Sequence, residues 1–128
     1  MPAASSLKFA AELAIRLNEV VPDGFTVVAE DENVVLRHNG KVVGSTGMAE
    51  IVESSENLDH LPQNMETGAR AILSNVQDWI ADTTTEPWPG KRSLPNPDAQ
   101  VTGERLEAWF GDQDNPVLKL RPLDLAAV

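Results

Sequence analysis

LPQNMETGARAILSNVQDWIADT, residues 61–83, carries the longest amphipathic pattern in the chain. Leu61, Met65, Ala69, Ile72, Leu73, Val76, Trp79 and Ile80 recur at three- and four-residue steps, the spacing of one helix face. Gln63, Glu66, Arg70, Asn75, Gln77 and Asp78 mostly fall opposite, which predicts a solvent-facing back. Such a stripe needs a broad apolar surface to cover, and β-rich segments on both sides of it supply one. Pro62 suits a first turn, where a missing N–H has no partner to lose. Thr83-Thr84-Thr85 and then Pro87 end the pattern.

Upstream, Leu7, Ala10, Ala11, Ala14, Leu17 and Val21 repeat at helical spacing, with Glu12, Arg16 and Glu19 opposed. This predicts a packing helix over about Leu7 to Val20, capped by Ser5 or Ser6 and stopped by Pro22-Asp23-Gly24. Its polar face lacks the Lys and Arg of a membrane-surface helix. Three β-segments follow: Phe25 to Ala29, Val34 to His38 and Lys41 to Thr46. Asn39-Gly40 is a two-residue hairpin signal, because both positions of a type I′ turn need positive φ. It sets His38 opposite Lys41, Leu36 opposite Val43 and Val34 opposite Ser45. The preceding turn sets Val27 opposite Leu36 and Ala29 opposite Val34. Both registers gather Phe25, Val27, Ala29, Val34, Leu36 and Val43 on one face. The other face takes Thr26, Val28, Glu30, Val35, Arg37, Val42, Gly44 and Thr46. There, Val28, Val35 and Val42 form a diagonal apolar strip beside Arg37, and these four are candidate partner-binding residues.

Gly47 to Asn57 reads equally as strand or helical turn, with Glu50, Glu53 and Glu56 leading into the main helix. From Glu86 to Gln100, four prolines and Gly90 predict a crossover without a regular element. Within it, Glu86-Pro87-Trp88-Pro89-Gly90 holds a tryptophan between prolines. Trp88 is the fifth candidate, either a rigid recognition anchor or a packing residue that ties the crossover down. A second hairpin, Arg105 to Phe110 and about Pro116 to Arg121, closes the chain. A five-residue loop pairs Ala108 with Leu118, Leu106 with Leu120 and Glu107 with Lys119. Pro116 and Pro122 suggest an edge position for the last strand.

At 128 residues the chain is one domain, 1–128, long enough to bury a core. A net charge of −10 argues against phosphate backbones and anionic membranes and suits solubility, a basic partner or simply a well-solvated shell. With no cysteine there is no disulfide or thiolate chemistry, as in a reducing compartment, and no signal-peptide pattern opens the sequence. The expected location is cytoplasmic. His38 and His60 lack zinc-site spacing, and Asp112-Gln113-Asp114-Asn115 lacks the later Gly and Glu of a calcium loop. No nucleophile elbow, phosphate loop or dinucleotide fingerprint occurs. No metal, cofactor or catalytic residue is expected.

The element order α-β-β-β-α-β-β, in a small acidic chain without cysteine, resembles the type III secretion chaperone-like fold. The region from Trp79 to Pro89 and the hairpin from Leu106 to Leu120 look like those of short uncharacterised actinobacterial proteins. The resemblance implies a dimer that holds an extended partner segment against its sheet. One departure is that no third helix is read at the C-terminus, where secretion chaperones commonly have one. The sequence thus predicts an α+β fold, an antiparallel sheet of a three-stranded meander plus a C-terminal hairpin, covered by two helices. The expected function is a non-enzymatic protein-binding domain, chaperone-like or regulatory, using the sheet face toward a protein partner or itself. The competing class is a small-molecule-binding protein or enzyme using the helix–sheet crevice, which requires converging ionisable groups there.

Overall fold

Asn39 and Gly40 both take positive φ, 52° and 86°, and the chain reverses between them as the Asn-Gly pair dictates. Around that turn the computed structural model, which describes residues 2–30, 33–47, 61–89 and 95–124, places the expected meander. Helix α1 spans Pro2–Asn18, followed by β1 (Phe25–Glu30), β2 (Asn33–His38) and β3 (Lys41–Gly47). Helix α2 spans Leu61–Thr84, and then come β4 (Pro97–Thr102), β5 (Arg105–Gly111), β6 (Pro116–Lys119) and β7 (Leu123–Asp124). The fold is α+β with the expected order, and β4 and β7 are additions at either end of the closing hairpin. The strands form two antiparallel sheets instead of one: β1-β2-β3, and β4-β5-β6 with β7 also paired to β5.

One hydrophobic core joins both sheets to both helices. Phe9, Leu13 and Leu17 of α1 and Ile72, Leu73, Val76 and Ile80 of α2 meet Val34 and Leu36 of β2 and Leu106 and Phe110 of β5. Helix α1 lies over β1 and β2, while α2 touches β3 on one side and β4 on the other. The apolar stripe of α2 is therefore core as its spacing requires, with Ile72, Val76 and Ile80 fully buried. Thr85 has φ 58° and ends α2, while the Thr84 hydroxyl donates to the Ile80 carbonyl at 2.9 Å.

Several expectations are corrected. Helix α1 begins at Pro2, so Ser5 and Ser6 lie inside it and not at its start. Arg16 is buried, because its guanidinium donates to the Pro122 carbonyl (3.3 and 3.4 Å) and to Glu12 Oε2 (2.6 Å), tying α1 to the C-terminal stretch. The β1–β2 register holds, Val27 with Leu36 and Ala29 with Val34. His38 pairs with Lys41, but a bulge between Leu36 and Arg37 then sets Leu36 opposite Gly44 and Val34 opposite Thr46. That extra residue turns Gly44 and Thr46 from the outer face to the inner one. A Cβ at Gly44 would collide with the Trp79 indole, so glycine is what lets α2 settle onto β3. Asn75 Nδ2 donates to Thr46 Oγ1 at 3.2 Å on the same side.

The Pro-rich segment also yields more structure than its composition implies. Residues 97–100 belong to β4, which pairs with β5 through a two-residue turn at Gly103-Glu104. In the last hairpin the register is Phe110 with Leu118 and Trp109 with Lys119, two residues from the expectation. Parity survives that shift, so Leu118 and Leu120 still face inward and Lys119 still reaches Glu107, at 3.4 Å. Strand β6 is at the edge, as its flanking prolines require. The segment from Met48 to Asn57, His60, and the Lys91-Arg92 pair lie outside the described residues.

Candidate functional site

Val28 and Val35 form a cross-strand pair on the outer face of the first sheet, next to the pair Arg37 and Val42. The structure thus brings four of the five candidates together. Their exposures differ sharply. Val42 is 57% exposed, Val28 half-buried, and Val35 only 5% exposed in the isolated chain, outside the main hydrophobic cluster. Arg37 Nη2 donates to Glu30 Oε2 at 2.7 Å, and its Nε is buried without a partner among the described residues. Trp88 sits apart from them. It packs edge-on against Phe110 of β5, ring centroids 5.2 Å apart, as part of the second sheet's core.

The apolar concavity of this region is not on the face but at its border. A groove of about 450 Å³ runs between α1 and β1, lined by Ala11, Ala14 and Ile15 of the helix and Val27, Val28 and Ala29 of the strand. Asn18 and Glu19 supply its polar walls. Ile15, 50% exposed, stands at its rim.

β1 ends the sheet order, so among the described residues no strand lies on one side of its backbone. In an antiparallel pair the backbone groups of alternate residues point to the neighbour and away from it. Val27 N–H points away, since it donates to Asn18 Oδ1 at 3.0 Å, and Phe25 and Ala29 share its parity. Phe25 N–H is used too, by the Pro22 carbonyl at 3.1 Å. Among the described residues, Ala29 N–H and the carbonyls of Val27 and Ala29 meet no partner on that side. Sequence reading missed this site because a strand's place in a sheet is not encoded in its own residues. Ile15, an isoleucine off the helix stripe, is the one signal available beforehand.

Among the described residues, Glu19 and Arg121 depart from their ordinary titration values. Glu19 is held below the usual glutamate range chiefly by its hydrogen bond from Arg121; desolvation opposes this, and the charges of Arg121 and Arg16 add to the lowering. Arg121 is raised by the same bond. This exposed pair, 2.8 Å apart, links the end of α1 to the stretch after β6. A larger cleft, about 640 Å³, lies between Pro95–Asp98 and the Gly111–Asn115 turn. Its Asp98, Asp112, Gln113 and Asn115 are exposed. No cluster of three or more metal-ligating side chains occurs among the described residues. His38 stacks at a tilt on Phe25, centroids 4.5 Å apart.

No family model, curated protein or solved structure matches this chain. No described helix is long and apolar enough to cross a membrane.

Proposed function

We propose that this chain is a non-enzymatic protein-binding domain that takes a partner segment along the open edge of β1, beside the outer-face strip. The observation that carries the reading is the coincidence of an unpaired strand edge with an apolar groove at the same place. Strand addition draws affinity from main-chain hydrogen bonds and selectivity from pockets for alternate side chains, and both parts are present here. Within this reading Val28 lines the groove and Val42 with Arg37 extends the contact onto the outer face, while Val35, buried beside Val28, and Trp88 play packing roles. The groove walls are alanine, isoleucine and valine, with Glu19 turned to Arg121, which suits a peptide better than a reacting substrate. The chaperone-like resemblance is compatible with this mode of binding and belongs to the same proposal.

The test compares proteins captured from native extract by wild type, Ile15→Arg at the groove rim and Val117→Glu at an exposed site on β6. Circular dichroism establishes that each variant folds. The groove reading expects Ile15→Arg to lose a defined partner that wild type and Val117→Glu retain. Identical captured sets from all three baits contradict it.

A further inference from the structure

The β1 edge is unusual in the balance of what it offers. An ordinary strand edge alternates N–H donors with C=O acceptors in equal number. Here the donors have been withdrawn from within the chain: Phe25 N–H goes to Pro22 O and Val27 N–H to Asn18 Oδ1. Among the described residues, Phe25, Val27 and Ala29 leave three carbonyls facing outward against a single amide. The edge is therefore a row of acceptors, and the molecule around it carries a net charge of −10.

Resting on the docking reading above, we propose that this edge selects an extended, arginine- or lysine-bearing segment of another protein, whose cationic side chains and amides supply the missing donors. A guanidinium has five N–H donors and no acceptor, so it complements carbonyls that a plain strand leaves unmet. Apolar residues at alternate positions of the same segment fit the groove against Ile15 and Ala14. The overall charge steers a basic segment to the domain and selects against acidic competitors. A second copy of this chain fits poorly. It brings the same donor-poor edge and the same negative charge, so two β1 strands laid together set acceptors against acceptors.

The experiment uses three synthetic octapeptides that alternate valine with arginine, serine or glutamate. Anisotropy gives their affinities, and amide shifts of the labelled protein locate them. The arginine peptide is expected to bind at least about tenfold more tightly than the serine peptide at low ionic strength, with the gap narrowing as salt screens it. Shifts should centre on Val27 to Ala29 and Ile15, and Ile15→Arg should abolish them. Asn18→Ala returns the Val27 donor to the edge and should improve the serine peptide relative to the arginine one. Equal binding of serine and arginine peptides at β1, or tighter binding of the glutamate peptide, overturns the selectivity while leaving strand docking in place. Shifts that fall elsewhere, or none with any peptide, overturn both.

Discussion

β4 and β1 are each an edge strand of one sheet, and the helices finish them differently. Along β4, α2 lays polar side chains against the backbone. Glu66 Oε2 accepts from Val101 N–H at 2.6 Å, and Arg70 Nη1 donates to the Ala99 carbonyl at 3.3 Å. Asp98 turns back to accept from Ala99 N–H at 2.8 Å, and Gln77 Nε2 closes the end of the segment on the Pro95 carbonyl at 2.6 Å. Along β1, among the described residues, α1 bonds the strand backbone through Asn18 and lines the groove beside it with alanine and isoleucine. A sheet edge is a template for another strand unless it is covered. The difference teaches that the chain has the means to close an edge and applies them to β4, while among the described residues it leaves the β1 edge largely unclosed.

The comparison can be broken at several strengths. Ile72 lies fully buried on the helix that guards β4. Ile72→Ala should cost about 2–5 kcal/mol through lost transfer energy and a residual cavity, read from urea melts. Glu66→Ala and Gln77→Ala should each cost about 1–3 kcal/mol, because each strands a backbone group that water reaches poorly. Costs near zero for both would mean the β4 edge is not held by these bonds. On the other edge, Asn18→Ala should cost no more than about 1 kcal/mol, since water in the open groove can replace its bond to Val27. Ile15→Arg should stay within about ±0.5 kcal/mol, as exposed substitutions usually do.

The smallest effect concerns acid. Glu19 is bound to Arg121 only as the carboxylate, so its folded pKa lies below its unfolded one. The pair's contribution is in place above the unfolded value and is lost as pH falls through the lowered folded value. Arg121→Ala should return the Glu19 titration midpoint, followed by side-chain carboxyl NMR, toward the ordinary glutamate range. An unchanged midpoint would mean the pair is not formed in solution.

Local signals read true in the sequence. Asn39-Gly40 fixed its turn because φ preference is a property of those two residues alone. The stripe of α2 was legible because burial imposes a period. What polarity could not show is where a polar side chain goes. Glu66, Arg70 and Gln77 carry the same pattern whether they meet water or a strand edge, and Gln77 is in fact 4% exposed. The bulge beyond Leu36 reversed the faces of Gly44 and Thr46, since one inserted residue flips all that follow. β4 hid behind Pro95 and Pro97, although Ala99 and Val101 alternate with polar neighbours and Gly103 follows two residues on. The face shared by Val28, Val35, Arg37 and Val42 was legible from the pleat. The groove at β1 was not, because it depends on how α1 packs beside that strand.

Residue-resolved amide hydrogen exchange on the free protein tests the central contrast most directly. Exchange reports local opening, and an amide facing an open edge has little to open. The account predicts that Ala29 N–H exchanges fast, Val27 N–H more slowly behind Asn18, and Val101 N–H slowest behind Glu66. Protection of Ala29 equal to that of Val101 would contradict it, because the β1 edge would then already be closed.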